Sequence, residues 1–240
     1  MRIIILTIAS TMLLSMQVFA QDAQQALIEA VQAKNFDAVK KVVEQLGADV
    51  NKPYKNPAMG KPYALHVACM VASPSIEIVQ YLLDKGAKLD VENRFGLSPL
   101  GCLVSSYDST NRLSIFKLLV EKGADINHVS NGGGSVLGYA CERGLIEIVK
   151  LLVNNVKDVD ARKNGMSSTP LMYAATSQSD NKNQIVDLLL AAGADPKEER
   201  KVVTSAGTFV NKTAADLAEE KGYSDLASKL RSARKIKVKR

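Results

Sequence analysis

Two histidines, three cysteines and one glycine-rich turn are the residues of this chain whose chemistry could make a catalytic or metal site. His66 and His128 could move protons or bind zinc, but no Cys or carboxylate stands at ligand spacing from either. His128 falls in a loop, where solvation is expected. Gly132-Gly133-Gly134-Ser135 has the look of a phosphate cradle or a nucleophile turn. It fits neither template: Leu137 stands where the nucleophile turn needs its second glycine, and no Gly-Lys-Ser/Thr follows. The simpler reading is a flexible loop tip whose Ser135 caps the next helix. The cysteines, Cys69, Cys102 and Cys141, are odd in number, so they do not form a disulfide scaffold. Buried thiols acting as small apolar residues are expected. A Cys69–Cys102 bridge, or a reactive thiol at Cys102, stays open. No catalytic residue, metal or cofactor is expected, and the chain is not read as an enzyme.

The framework that would hold these residues is aliphatic. Trp is absent and aromatics make up only 5% of the 240 residues, which suits stacked helices better than a β-sandwich. Residues 1–20 read as a cleaved secretory signal peptide. Arg2 is followed by an apolar stretch from Ile3 to Leu14, and Val18-Phe19-Ala20 offers a cleavage site before Gln21. The apolar run is short for a membrane anchor. The first cysteine is Cys69, so no lipid-modified N-terminal cysteine is available. The mature protein, from Gln21, is expected in a bacterial periplasm. The formal charge of +6 is concentrated at the end of the chain. Residues 231–240 hold six basic residues and no acid, while residues 21–230 hold 24 basic and 25 acidic ones.

Three phrases recur along the chain. The first is Gly47-Ala-Asp-Val-Asn51, repeated as Gly86-Ala-Lys-Leu-Asp90, Gly123-Ala-Asp-Ile-Asn127, Val156-Lys-Asp-Val-Asp160 and Gly193-Ala-Asp-Pro196. The second is Tyr63-Ala-Leu-His-Val-Ala68, repeated from Ser98, Ser135, Thr169 and Thr213. The third, Ile-Val followed by Leu-Leu, occurs at Ile78-Val79, Ile148-Val149 and Ile185-Val186. Ser or Thr before Pro is a helix start, because the hydroxyl caps free N–H groups and Pro fits the first helical position. The Ile-Val-Leu-Leu stripe is the apolar face of a second helix, ended by Gly in a left-handed cap. Each unit is therefore loop, helix, turn, helix.

These phrases resemble the ankyrin repeat, with its Thr-Pro-Leu-His start and Gly-Ala-Asp-x-Asn end. The expected fold is an all-α repeat solenoid of stacked helix-turn-helix repeats joined by extended loops or short β-hairpins. Six repeats are expected: an N-terminal cap at 23–51, then 52–89, 90–126, 127–159, 160–196, and a C-terminal cap at 197–232, before a basic tail at 233–240. Departures from the pattern include extra residues around Ser105–Thr110 and Ser177–Asn181, a long loop from Asn51 to Pro62, and Val156 in the place of a cap glycine. Between Pro196 and Lys212, the runs Val202-Val203-Thr204 and Thr208-Phe209-Val210 around Ser205-Ala206-Gly207 predict a β-hairpin.

The resemblance implies a protein that binds another protein through its concave face and loop tips. It places Tyr54, Lys55, Arg94, Phe95, His128, Asn131, Arg162 and Lys163 at tips. Cys102, Tyr139 and Tyr173 take one concave-facing helix position, with Glu142 and Arg143 one turn on. It gives His66 a structural role, bonding loop backbone between repeats. Tyr139 and Tyr173 could anchor a partner or lie partly buried between helices. Phe209 and Val203 could pack back on the fifth repeat or meet a partner by strand addition. The partner is expected to be a periplasmic enzyme that the chain supports, or an effector toxin that it neutralises as an immunity protein. The alternative is an envelope scaffold whose basic tail makes weak contact with anionic membrane. Nucleic-acid binding is not expected of an exported protein, and nothing in the pattern calls for more than a monomer.

Overall fold

In the computed structural model, residues 23–54, 60–106 and 110–236 are described. The first helix pair is α1 (23–32) and α2 (Phe36–Glu44). Four pairs follow: α3 (Ala64–Met70) with α4 (Ile76–Asp84), α5 (Pro99–Ser105) with α6 (Arg112–Glu121), α7 (Val136–Glu142) with α8 (Ile146–Val153), and α9 (Pro170–Thr176) with α10 (Lys182–Ala191). A hairpin of β1 (Arg200–Val203) and β2 (Phe209–Lys212) precedes the last pair, α11 (Ala214–Glu220) and α12 (Ser224–Ser232). The short first helices α3, α5, α7, α9 and α11 stack on one another, and so do the second helices α2, α4, α6, α8 and α10. This is the expected repeat solenoid. Among the described residues, no helix is long and apolar enough to cross a membrane.

The same apolar trio builds each inner second helix. Ile78, Val79 and Leu82 recur as Ile115, Phe116 and Leu119, then Ile148, Val149 and Leu152, then Ile185, Val186 and Leu189, all buried. The spacing i, i+1, i+4 puts each trio on one helical face, against the first helix of its own repeat and the neighbouring second helices. The first helices start as the sequence predicts. Ser98 Oγ accepts from Gly101 N–H at 3.2 Å, Ser135 Oγ from Gly138 N–H at 3.1 Å, and Thr169 Oγ1 from Met172 N–H at 3.3 Å. Thr213 and Asp216 cap α11 reciprocally: Thr213 Oγ1 accepts from Asp216 N–H, and Asp216 Oδ2 accepts from Thr213 N–H at 2.9 Å.

The Gly-Ala-Asp-x-Asn phrase works twice. Its Asp holds the turn: Asp49, Asp125 and Asp158 each accept the N–H two residues on. Its last residue reaches the next repeat. Asn51 Oδ1 accepts from Lys88 N–H at 2.9 Å, and Asn51 Nδ2 donates to the Gly86 carbonyl at 2.7 Å. Asn127 accepts from Lys157 N–H at 2.7 Å, and Asp160 from Asp195 N–H at 3.0 Å.

Val156 stands where other repeats have the cap glycine: it follows Ile148 by eight residues, as Gly86 follows Ile78 and Gly123 follows Ile115. Its local conformation differs from theirs. Val156 is buried like Ala87 and Ala124, and its N–H donates to the Leu152 carbonyl four residues back, where Ala87 and Ala124 donate five residues back. Lys157 N–H then makes toward Asn127 the bond that Lys88 makes toward Asn51. No left-handed residue is needed, and Asn154 caps the helix in right-handed geometry. The predicted hairpin forms with Val202 opposite Val210 and Val203 opposite Phe209.

Candidate binding surface

The loops between repeats project as fingers, and backbone bonds rung them together. Asn131 N–H donates to the Phe95 carbonyl at 3.1 Å, Lys163 N–H to the Gly133 carbonyl at 3.3 Å, and Lys201 N–H to the Gly165 carbonyl at 2.8 Å. The tips of three repeats and the β1–β2 hairpin thus form one continuous edge.

Some expected site residues face solvent on this edge. Arg94 is exposed, with its guanidinium 4.4 Å from the Phe95 ring centre, and Phe95 itself is 46% exposed. Phe209 is 63% and Val203 53% exposed, so the hairpin does not pack its apolar tip back on the fifth repeat. Met166, 54% exposed on the fifth repeat's finger, joins this row. A lone Met among Gly and Ser carried no sequence signal.

Other expected residues are turned to internal work. Arg162 Nη1 donates to the Ser167 carbonyl and, at 2.9 Å, to the Glu199 carbonyl, while Nη2 pairs with Glu198. It clamps the hairpin to the fifth finger. Arg143 Nε donates to the Ser105 carbonyl of the preceding repeat at 2.9 Å. Asn131 is exposed but accepts from Lys163 Nζ at 3.1 Å. Tyr54 is half-buried, and its N–H bonds the Pro62 carbonyl. His128 is not solvated as expected: its Nε2 lies 2.6 Å from the Gly96 carbonyl and 3.8 Å from Glu92, tying two fingers together. Lys55 lies outside the described residues.

Tyr139 and Tyr173 are both half-buried, with ring centres 6.0 Å apart. Tyr139 Oη bonds Ser130 Oγ at 2.6 Å. Burial beside Tyr139 pushes the Tyr173 phenol up to about 12. Both rings are thus partly buried between repeats. Cys102 departs from that register position's expected exposure. It is fully buried, its Sγ accepts from Asn93 Nδ2 at 3.3 Å, and desolvation pushes its thiol up to about 12. This setting disfavours the thiolate form that a reactive cysteine needs. Cys69 and Cys141 are also free and buried, and burial raises both.

The glycine-rich segment is packed rather than flexible. Gly133 has φ +86°, and a Cβ there would fall 1.9 Å from Ser167 Oγ of the next finger. His66 behaves as a structural residue: its Nδ1 accepts from Tyr63 N–H at 3.3 Å, so Nε2 carries the proton and donates to the Leu97 carbonyl at 3.0 Å. Burial holds its pKa below the ordinary imidazole value. Among the described residues, no three His, Cys, Asp or Glu side chains are grouped to hold a metal ion.

A stacked solenoid with a half-open tyrosine pair and a laddered row of exposed tips defines a repeat protein built for surface contact. A family model described as ankyrin repeats in three copies matches residues 27–130 and 107–200. The chain is 30% identical over 208 residues to the Escherichia coli K12 ankyrin repeat protein YahD, covering 85% of this chain and 93% of that protein. It is 35% identical over 141 residues to the mouse B-cell lymphoma 3 protein homolog, covering 56% of this chain and 29% of the relative. It is 30% identical over 135 residues to the human transient receptor potential cation channel subfamily A member 1, covering 55% of this chain and 12% of the relative. The chain belongs to the ankyrin-repeat family. Ankyrin repeats are generally non-catalytic protein–protein interaction modules.

Proposed function

We propose that this chain is an exported, non-catalytic binding module that holds one partner protein through its concave face and finger tips. The partner is a periplasmic enzyme it supports or a toxin it neutralises as an immunity protein. The observation that carries the reading is the exposed row of Arg94, Phe95, Met166 and Phe209 on one laddered edge. Exposed aromatic and Arg side chains on a rigid frame are the residue types that anchor interfaces. Tyr139 and Tyr173 extend this surface into the groove. Arg162 and Asn131 belong to it as supports that fix the tips, Arg143 braces the groove helices by holding the Ser105 carbonyl of the preceding repeat, and Tyr54 is placed in the loop before the second repeat. Export rests on the leader at residues 1–20, which lie outside the described residues. Sequencing the mature N-terminus tests that part, with Gln21 as the expected first residue.

The membrane-scaffold alternative has less to draw on. Lys235 pairs with Asp195 at 3.2 Å and Arg231 with Glu219 at 3.0 Å, which engages two of the six basic residues of 231–240. The discriminating experiment is affinity capture from periplasmic extract, run beside sedimentation with anionic vesicles. A stoichiometric protein supports the module. Vesicle binding abolished by deleting residues 231–240, with no captured protein, supports the scaffold.

A further inference from the structure

A ladder of ion pairs joins the second helices. Lys85 of α4 pairs with Glu44 of α2 at 3.0 Å, and Lys122 of α6 pairs with Asp84 of α4 at 3.8 Å. Each acid stands two residues after a buried apolar residue, Val42 or Leu82, and each lysine three residues after Leu82 or Leu119. By that spacing the next rung joins Glu121 of α6 to position 155 of α8, three residues after Leu152. Asn155 stands there. Its Nδ2 donates to the Leu151 carbonyl of its own helix at 2.7 Å. Among the described residues, the Glu121 carboxylate has no ion pair or hydrogen bond.

Bulk is missing at the same place. In the first rung Tyr81 Oη donates to Glu44 Oε1 at 3.1 Å, and Lys85 Nζ lies 5.3 Å from the centre of the Tyr81 ring. The position of Tyr81 is held on α6 by Leu118 and on α8 by Leu151. α6 keeps the lysine; α8 lacks both the ring and the lysine. There a cavity of about 530 Å³ stands open between α6 and α8. Buried Phe116 and Leu152 line it with Val120 and Leu151, and exposed Glu121 and Asn155 border it. Lys117, one turn before Glu121, also borders it and makes no ion pair with Glu121. Lys40 stands in the same relation to Glu44, which nevertheless takes Lys85 from the next repeat. A cation on its own helix thus leaves the acid open to a second one from outside. A purely apolar occupant would cover the Glu121 carboxylate without giving it a partner, at a cost in desolvation.

We infer that the cavity between α6 and α8 is a docking site for a lysine or arginine side chain of a partner protein, its aliphatic stem lying on Val120 and Leu151 and its charge meeting Glu121. The incoming side chain takes the place that Lys85 and Lys122 fill from within the chain in the two preceding rungs. Long basic side chains suit such a site, because the stem is apolar and the head stays at the wet rim. This inference rests on the reading of the chain as a protein-binding module, and it gives that module a contact built from none of the finger residues.

The test titrates the isotope-labelled full chain with two capped tripeptides, Val-Lys-Val and Val-Glu-Val, and reads the amide signals by NMR. Val-Lys-Val should shift the signals of Phe116, Val120, Leu151 and Asn155 saturably. Val-Glu-Val should bind at least about ten-fold more weakly. Glu121→Gln should weaken binding of Val-Lys-Val about five-fold, the loss of one ion pair at the rim. Asn155→Lys supplies the third rung from within the chain. It should abolish binding while the chain melts no lower than the parent. Glu44→Gln breaks the first rung and should leave binding unchanged. Equal binding of the two peptides, binding undiminished in Glu121→Gln or Asn155→Lys, or no saturable shift with Val-Lys-Val would overturn the proposal. So would a dimer of the full chain that is lost both on Glu121→Gln and on deleting residues 231–240, which would put a second copy's basic tail in the cavity. Failure here, with captured partner still lost on changing Arg94 and Phe95, removes this inference alone. Loss of both results removes the binding-module reading as well.

Discussion

The Tyr173 ring lies against Gly138 of the preceding repeat, so closely that a Cβ on Gly138 would stand 2.9 Å from Tyr173 Cδ2. Gly138 sits inside α7, where Ala would ordinarily favour the helix by about 1 kcal/mol. The contact reverses that preference. Gly138→Ala should push Tyr173 out of register and cost a net ~1 kcal/mol, since overpacking costs about 1–3 kcal/mol. Chemical denaturation checks the sign. A gain in stability would mean the ring is not seated there.

His66 ties the second repeat to the third through the Leu97 carbonyl, in its neutral form. Its folded pKa lies below the unfolded imidazole value, so the unfolded chain takes up the proton first. Stability should therefore fall as pH drops through the ordinary imidazole range toward the lower folded value. His66→Ala should cost about 2 kcal/mol at pH 7 and flatten that part of the profile. Melting curves from pH 8 to about 5 read both effects.

Asp160 shows the opposite sign. Burial raises its carboxyl to about 6, and its Oδ1 is buried without a hydrogen-bond partner, where the equivalent Asn51 donates Nδ2 to a carbonyl. The folded chain binds this proton before the unfolded one, so the site loses stability as pH rises from the unfolded carboxylate value to about 6. Asp160→Asn restores the family's amide. With solvent screening of this part-exposed group allowed for, it should gain about 1 kcal/mol at pH 7. The gain should shrink toward zero near pH ~4, where Asp160 is itself protonated. A constant gain across that range would contradict the assignment.

Arg162 holds the hairpin by the Glu199 carbonyl and Glu198, and its own finger by the Ser167 carbonyl. Arg162→Ala should speed amide exchange across residues 198–212 with little change elsewhere, and Arg162→Lys should not restore protection, because a lysine cannot span the three acceptors. Uniform exchange across the whole chain would instead indicate global destabilisation.

The periodic part of this fold was legible in the sequence because each phrase has a local cause. Ser98, Ser135, Thr169 and Thr213 cap helices through residues three positions away, and the Ile-Val-x-x-Leu trio fixes which face is buried. What was not legible depends on residues about one repeat distant. His128 reaches Gly96, Arg143 reaches Ser105 and Arg162 reaches Glu199, so side chains that look free for a partner are spent between repeats. The conformation at Val156 was hidden for a related reason. Val156 falls on a glycine position, and only the bonds from Val156 to Leu152 and from Lys157 to Asn127 show that the helix ends there without a left-handed residue. Phe95 was read as a tip residue from position alone and is exposed; whether Phe209 packs back on the fifth repeat could not be read from the sequence, and it too is exposed.

The most direct measurement is capture of a partner on immobilised full-length chain, beside an Arg94→Glu/Phe95→Ala double variant. Arg94 and Phe95 are exposed, so the variant should melt within about 1 °C of the parent. One stoichiometric protein, identified by mass spectrometry, should be retained by the parent and lost by the variant. A protein retained equally by both, or no protein retained at any salt concentration, would contradict it.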